Sequence, residues 1–359
     1  MLIAAVCCNA ELALSQDCVS DSEHSGTKLQ KVASRLNLGL SDIADTISLS
    51  TCKIGVFTSG TTGRPKLVQH RMETLIRSVR TGDRHQSDVW GLTYHPASFA
   101  GLQVFFQAVC NLNPLVRLTA LDASAVHEAI HQQKVTHISA TPTWMRLVCS
   151  DGVVHEDVRQ ITTGGEIAEH SLIDQVETTF PNATFRNIYA STETGSLFIS
   201  DGDSFQVPEN LADRIKVTDG LLVIHRSLLA ESLRSEGQDE FFVTGDCVEV
   251  LSSEPLTLRF TARKNDWINV GGYKVNPYEI EQLLIAIDGI ADARVFGRKN
   301  SVTGNIVCCE IVRSTKVEVT IADIRKRLEQ FVAAYKIPRI VDFVDSIVRT
   351  QSGKKHRAE

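Results

Sequence analysis

The chain reads as an α/β protein: a large N-terminal domain with mostly parallel sheets and helices plus a β-rich part, followed by a small α+β domain. Three observations predict this. From about residue 50, short apolar strand-like runs alternate with amphipathic stretches of helical length, the pattern of a largely parallel sheet with sites at its strand ends. Between residues 205 and 260 the pattern shifts to short β-rich pieces. Near Arg263 a new unit starts, long enough to fold on its own, so two domains are expected, 1–262 and 263–359.

The elements follow in order. A strand over 53–57 leads into a polar loop. A strand over 89–94 precedes an apolar helix over 100–110, and a helix over 124–134 precedes a strand over 136–140 that stops at Thr141-Pro142. Residues 159–163 form another strand ending in Gly164-Gly165, with a helix over about 169–180 behind it. The β-rich part includes 220–225 and 241–243. In the small domain the expected elements are strands at 268–270, 293–296 and 306–312, with helices over 277–287 and 321–334.

Composition narrows the function. The net charge is −6 and charged residues make up 22% of the 359, so no basic field points to nucleic acid. No apolar run approaches the roughly 20 residues of a membrane span. The nine cysteines, at 7, 8, 18, 52, 110, 149, 247, 308 and 309, form no C-x-x-C pair and suit buried thiols in a reducing compartment. The start, Met1-Leu2-Ile3-Ala4-Ala5-Val6-Cys7-Cys8, lacks a positive n-region and reads as a buried strand. A cytoplasmic protein is expected.

The most informative segment is Thr58-Ser59-Gly60-Thr61-Thr62-Gly63-Arg64-Pro65-Lys66. A hydroxyl- and glycine-rich loop leaving an apolar strand can hold a polyphosphate, because glycines let backbone N–H groups approach the oxygens and a lysine adds charge. The spacing is not that of a Walker loop. Downstream come Asn187-Ile188-Tyr189-Ala190-Ser191-Thr192-Glu193-Thr194-Gly195, then Thr244-Gly245-Asp246 and Ala262-Arg263, then Ser352-Gly353-Lys354-Lys355-His356-Arg357. A carboxylate such as Glu193 suits Mg²⁺ bound to phosphates. Asp246, after a tight turn, can accept both hydroxyls of a ribose.

With these four segments in this order, over residues 50 to 357, the chain resembles the adenylate-forming superfamily of acyl-CoA synthetases, stand-alone adenylation domains and luciferases. The resemblance implies that ATP and Mg²⁺ activate a small carboxylic acid as an acyl-adenylate with release of pyrophosphate, and that a thiol then takes the acyl group. Coenzyme A and a carrier-protein pantetheine are both candidate acceptors. Thr58, Ser59, Gly60, Thr61, Thr62, Gly63 and Lys66 would grip the β- and γ-phosphates. Gly164, Gly165 and Glu166 would lie along the adenine, with Tyr189, Ala190 and Ser191 lining its site. Thr192 would touch the α-phosphate, and Glu193 with Thr58 would hold Mg²⁺. Asp246 and Arg263 would hold the ribose. Lys354, rather than Lys355, would bridge the carboxylate and the α-phosphate.

The resemblance also implies an acyl pocket lined by His95, Phe99, Ala100, Gly101 and Trp144. Amino-acid-activating members carry Asp after the Phe of this segment; Ala100 stands there, which disfavours an α-amino acid and leaves an aromatic or modest aliphatic acid. The small domain would be mobile, presenting Lys354 for one step and the Gly271-Gly272 loop for thiol attack, with Asn265 or Asp266 as pivot. The chain departs from the family in two places. Only 57 residues precede the loop, an expected shortening in which either some of the usual substrate-pocket support is missing or a second subunit provides it. The hinge, Arg263-Lys264-Asn265-Asp266, is altered. Two other readings stay open: an idle nucleotide-binding paralogue, suggested by these departures, and an enzyme that passes AMP to a protein or amine.

Overall fold

The computed structural model describes residues 12–14, 40–58, 66–119, 121–234, 239–301, 303–314, 317–348 and 355. Strand β1 (Leu12–Leu14) lies parallel to β2 (Lys53–Thr58), and β2 pairs antiparallel with β3 (Lys66–Arg71), Thr58 opposite Lys66. The β2–β3 pair is thus antiparallel, and the parallel pattern expected from residue 50 begins only later. The sequence hides β3 because four of its six residues are polar. Val68 and His70 alone point inward. Helices α1 (Leu40–Leu49) and α2 (Met72–Ile76) supply Ile47, Met72 and Leu75 to a core shared with Ile54, Val56 and Phe99.

The α/β layer keeps the expected alternation and adds β5, α5 and β9 to it: β4 (Trp90–Leu92), α3 (Phe99–Cys110), β5 (Leu115–Arg117), α4 (Ala123–Gln132), β6 (His137–Ala140), α5 (Pro142–Cys149), β7 (Gln160–Gly164), α6 (His170–Thr179), β8 (Thr184–Ser191) and β9 (Gly195–Ser200). The sheet order is β5-β4-β6-β7-β8-β9, parallel except for the β8–β9 hairpin. Three helices start on a side-chain cap: Ser98, Asp122 and Thr141 accept from the N–H groups of Gly101, Ala125 and Trp144. Each cap stabilises its helix by about 1 kcal/mol. The α3 and α5 caps fix the turns that follow the C-terminal ends of β4 and β6, where α/β sheets place their sites.

On the face lined by Phe180, the buried rings of His127 and His155 stack with centroids 5.1 Å apart and share an Nδ1···Nε2 hydrogen bond of 2.8 Å. Burial, then the neighbouring His127 and His131, push the His155 pKa down from 6.5 to about 4. The folded state binds fewer protons than the unfolded chain between those values. Stability from this site is therefore full above pH 6.5 and is lost as the pH falls toward 4. The melting temperature of His155→Phe should fall less steeply than wild type across that window; parallel curves would show that the pair carries none of the pH dependence.

The β-rich part is an antiparallel sheet in the order β10-β14-β13-β12-β11, built from β10 (Ser204–Gln206), β11 (Ile215–Thr218), β12 (Leu221–His225), β13 (Phe241–Ser253) and β14 (Leu256–Arg263), with the one-turn helix α7 (Glu231–Arg234) between β12 and β13. Strand β13 runs far beyond the expected 241–243. Register shifts at Cys247/Val248 and Val250/Ser252 break its period of two, which conceals the strand in the sequence.

The small domain holds β15 (Ile268–Val270), β16 (Tyr273–Val275), α8 (Pro277–Ile285), β17 (Ile290–Asn300), β18 (Gly304–Arg313), α9 (Ile321–Leu328) and β19 (Ile340–Phe343) around a core of Val275, Ile280, Leu284, Val295, Cys309 and Ile324. Strands β17 and β18 form a longer ribbon than the apolar segments 293–296 and 306–312 suggest. Helix α9 opens on a Thr320–Asp323 capping box but ends at Leu328, short of the expected 334; beyond it Tyr335 stacks on Tyr273 at 4.7 Å. No helix among the described residues is long and apolar enough to cross a membrane.

Candidate active site

Asp246 is the best-defined part of the site. It follows Gly245, whose φ of +80° only glycine adopts freely, and it stands directly across the β13–β14 ladder from Arg263. Its carboxylate is 5% exposed and accepts from Tyr189 Oη (2.6 Å, to Oδ2) and from Arg263 Nε (2.7 Å, to Oδ1). The Asp246 N–H donates to Thr244 Oγ1 at 3.1 Å. Burial, reinforced by the Asp246 carboxylate, holds the Tyr189 hydroxyl protonated well above its usual range, so it acts as a donor. The Tyr189 ring stacks on Phe260 with centroids 4.2 Å apart. A carboxylate offers about four lone-pair directions, and two remain here for a diol.

The hairpin turn from Ser191 to Gly195 is tied at several points. Ser191 Oγ accepts from the Thr194 N–H at 3.2 Å, and Ala230 N–H donates to the Glu193 carbonyl at 2.7 Å. Arg77 Nη2 reaches the carbonyls of Thr194 and Ser196 at 3.4 Å, and a Cβ on Gly195 (φ +72°) would lie 3.2 Å from that nitrogen. Thr192 and Glu193 are half-buried, and among the described residues the Glu193 carboxylate has no hydrogen bond or ion pair. It is thus open to a hard cation. No group of three or more His, Cys, Asp or Glu among the described residues could hold a metal by itself. A Mg²⁺ carried largely by phosphate oxygens needs only one or two carboxylates, and Glu193 fits that requirement.

Beneath this turn lies a residue that sequence reasoning missed. His70 of β3 is completely buried, and among the described residues neither ring nitrogen has a hydrogen-bond partner. Leaving such a group unpaired costs about 1–3 kcal/mol. Burial pushes its pKa from 6.5 down to about 4, and the Thr192 backbone, Glu193 and Arg77 are its polar surroundings. Its ring centroid is 5.1 Å from that of Phe99. The signal available in the sequence is a polar residue two positions from Val68, on the inward face of a strand.

The acyl segment folds back on itself. Ser98 Oγ donates to the His95 carbonyl at 2.7 Å, and His95 Nδ1 accepts from the Ala97 N–H at 3.2 Å. A Cβ on the buried Gly101 would collide with the His95 carbonyl, which is why glycine stands there. Phe99 meets the hairpin turn, 3.7 Å from the Cβ position of Gly195, and Ala100 is half-buried beside it on α3. Trp144 packs against a different core, around Ile138 and Ile161. Gly164 ends β7 with its Cβ position 3.0 Å from the Ile188 carbonyl, and Gly165 has φ +85°. Glu166 accepts from the Thr143 N–H at 3.1 Å, adding a carboxylate to the N-terminus of α5. Ala190 and Ser191 lie on β8, after an irregularity at Tyr189/Ala190.

The small domain meets the large one through Glu169. Its carboxylate accepts from Arg146 of α5 (2.5 Å) and from Tyr278 (2.8 Å) and Gln282 (2.5 Å) of α8, while Asn276 Nδ2 donates to the Thr261 carbonyl at 3.1 Å. Asn265 is exposed in a single 3-10 turn, Lys264–Asp266. Gly271 and Gly272 form the β15–β16 turn, both at positive φ. Lys355, with a side chain 7% exposed, donates to the Ala293 carbonyl (2.5 Å) and pairs with Asp292 at 2.8 Å. Ser59, Gly60, Thr61, Thr62, Gly63 and Lys354 lie outside the described residues. Thr58 and Lys66 flank the loop on β2 and β3.

Known proteins share this plan. The family model of AMP-binding enzymes matches residues 10–220, and that of the AMP-binding enzyme C-terminal domain matches 279–354. The chain belongs to the AMP-binding enzyme family. The 2-succinylbenzoate–CoA ligase of Oceanobacillus iheyensis is 27% identical over 334 residues, covering 83% of this chain and 67% of that protein. The mitochondrial acyl-coenzyme A synthetase ACSM5 of Rattus norvegicus is 25% identical, over 84% of this chain and 59% of its own length. The chain thus spans about two thirds or less of the length of these two relatives. In fold it resembles the o-succinylbenzoate CoA synthetase of Bacillus subtilis bound to its acyl-adenylate (TM-score 0.63, 22% identity, 84% of this chain and 67% of that one). It also resembles ATP-bound MatB of Rhodopseudomonas palustris (TM-score 0.66, 18% identity, 96% and 76%).

Proposed function

We propose that the chain uses ATP and Mg²⁺ to convert a carboxylic acid into an acyl-adenylate, releasing pyrophosphate, and passes the acyl group to the thiol of coenzyme A. The observation that carries this is the constellation of a buried Asp246 oriented by Tyr189 and Arg263, with the open Glu193 carboxylate on the turn that continues the Tyr189 strand. In the first step a carboxylate oxygen of the acid attacks the α-phosphorus and the bond to pyrophosphate breaks. Two anions must approach, so the site has to neutralise charge as the new bond forms.

In this reading Asp246 fixes the ribose, Tyr189 lines the adenine site, and Lys66 with the 58–63 loop holds the terminal phosphates. Mg²⁺, held by Glu193 with Thr58, would offset the charge of the phosphates. Lys354 supplies the cation between the carboxylate and the α-phosphate. The neighbouring Lys355 is committed to Asp292 inside the small domain, which supports the choice of Lys354. In the second step the thiol sulfur attacks the acyl carbonyl and AMP leaves, with Gly271-Gly272 at the thiol entrance. The two steps need different faces of the small domain, so residues 264–359 turn about Lys264–Asp266.

Ala100 leaves no carboxylate in the acyl segment to pair an ammonium group. An aromatic or modest aliphatic acid is the substrate class, in keeping with the succinylbenzoate and acyl substrates named for the relatives. The test is ATP–pyrophosphate exchange over a panel of acids, followed by product analysis with coenzyme A or a pantetheinylated carrier protein. Acid-dependent exchange with a coenzyme A thioester as product is expected. Exchange without any thioester would move the chain to AMP or amide transfer, and no exchange with any acid would leave a nucleotide-binding protein. Within this assay Glu193→Gln should lower turnover by roughly 10- to 100-fold and raise the Mg²⁺ requirement, since a neutral amide is a poor ligand for a hard cation. A wild-type Mg²⁺ curve would remove Glu193 from the metal.

A further inference from the structure

We propose that Glu169 is a releasable latch between the domains, which sets the balance between the two half-reactions by holding the small domain in the orientation described here. The proposal rests on the two-step reading given above, in which residues 264–359 turn between the steps. The geometry of the contact carries it. Arg146 Nη2 reaches both oxygens of Glu169, at 2.5 and 2.6 Å, and the two side chains are largely buried. Tyr278 Oη and Gln282 Nε2 then donate to one of those oxygens, Oε1, at 2.8 and 2.5 Å. Both donors come from α8, four residues apart and so on one face of the helix.

Two features make the contact releasable. Among the described residues no apolar core joins the domains: the cluster around Val275, Leu284, Val295 and Ile324 holds only residues from 268 onward, and the other four clusters hold none beyond Phe260. Parting the domains therefore opens no shared core. The charge of Glu169 is also balanced by Arg146 within the large domain. Release removes only two neutral donors, which are partly exposed and turn to water, and it leaves no uncompensated buried charge, the outcome that costs most. Each hydrogen bond to a carboxylate still shifts an equilibrium roughly tenfold or more, enough to bias two orientations of comparable free energy. The placement suits this role. Glu169 is the N-cap residue of α6, on the segment that continues from Gly164, Gly165 and Glu166, and α8 directly follows the Gly271-Gly272 turn and β16. The latch thus ties the segment assigned to the adenine to the one assigned to the thiol. These residues touch no reacting atom; they position the domain that does.

The test uses Gln282→Glu, Tyr278→Phe and the double variant Glu169→Gln with Gln282→Glu. Each is read by hydrogen–deuterium exchange, melting temperature and the two half-reactions measured separately. Gln282→Glu sets a second carboxylate against Glu169 while leaving Arg146 in place. Amides of α8 and of the start of α6 should then exchange roughly tenfold faster, with the rest of the chain and the melting temperature unchanged. The ratio of the rates of acyl-adenylate formation and thioester formation should move by roughly tenfold, and by less in Tyr278→Phe. The double variant restores one carboxylate and one amide to the pair, so its exchange and its rate ratio should return toward wild type. A contact that only supports the fold would lower the melting temperature and slow both half-reactions alike, with no recovery in the double variant; that result overturns the proposal. Should Gln282→Glu fail to fold, Tyr278→Phe decides: wild-type exchange and an unchanged rate ratio overturn it. If the wild type supports neither half-reaction, the two-step reading falls on its own. Hydrogen exchange still judges the latch in that case: protection lost in Gln282→Glu and regained in the double variant supports it, and unchanged protection removes it.

Discussion

Replacing Lys354 with Ala is expected to cut acid-dependent ATP–pyrophosphate exchange by roughly 100- to 1,000-fold, the usual loss when one preorganised charge-stabilising donor is removed. ATP should still bind, because the ribose and phosphate contacts assigned to Asp246 and the 58–66 loop are untouched. The loss should appear in kcat more than in KM, since a cation placed between two approaching anions gains most as the bond forms. The second half-reaction gives the sharper check. Pre-formed acyl-adenylate supplied with coenzyme A should turn over at near the wild-type rate, because that step is assigned to the Gly271-Gly272 face of the same domain. A matched Lys355→Ala should behave differently. Removing the cation that pairs with Asp292 and Glu281 takes a largely buried ion pair out of the small domain, so the expected effect is a lower melting temperature that weakens both half-reactions together. Exchange unaffected in Lys354→Ala would remove the tail lysine from the chemistry.

The α/β layer was legible because its elements obey simple rules: Ser98, Asp122 and Thr141 are standard caps, and β6 and β7 are short segments around Ile138 and Ile161, rich in β-branched residues and bounded by turns. What the sequence concealed has specific causes. Strand β3 is mostly polar because one face is exposed, and bulges in β13 and charges in β17 mask their length. The candidate site was read from residue types whose chemistry suits a nucleotide and its metal. Asp246 and Glu193 stand out because a carboxylate can accept ribose hydroxyls or hold a hard cation. The partners that orient them did not. Tyr189 and Arg263 meet at Asp246 from positions 57 and 17 residues away, and no local pattern reports that meeting. Glu169, Arg146, Tyr278 and Gln282 converge between the domains in the same way, and His70 reads as an ordinary strand residue until its burial is seen.

Asp246→Ala is expected to weaken ATP binding by roughly 10- to 100-fold or more, since each hydrogen bond to a charged group contributes about 1.5–3 kcal/mol. Three consequences should appear together. The ribose hydroxyls lose their acceptor, so the KM for ATP and the calorimetric Kd should rise in parallel. The Tyr189 hydroxyl, buried and kept protonated, loses the acceptor at 2.6 Å, which lowers the melting temperature. Arg263 loses its carboxylate too, but it is about half exposed and water replaces much of that partner, so its share of the destabilisation is small. Asp246→Asn distinguishes shape from charge. The amide keeps the volume but turns one oxygen into a donor that must face either Tyr189 Oη or Arg263 Nε, both donors themselves. It should therefore bind ATP no better than the Ala variant. Tyr189→Phe removes only one of the two orienting donors and leaves the carboxylate, so its loss of affinity should be several-fold smaller. Wild-type ATP affinity in both Asp246 variants would mean that the nucleotide lies elsewhere; impaired affinity in Asn and Ala alike, with Tyr189→Phe between them and wild type, would fix the carboxylate as the ribose anchor and Tyr189 as its support.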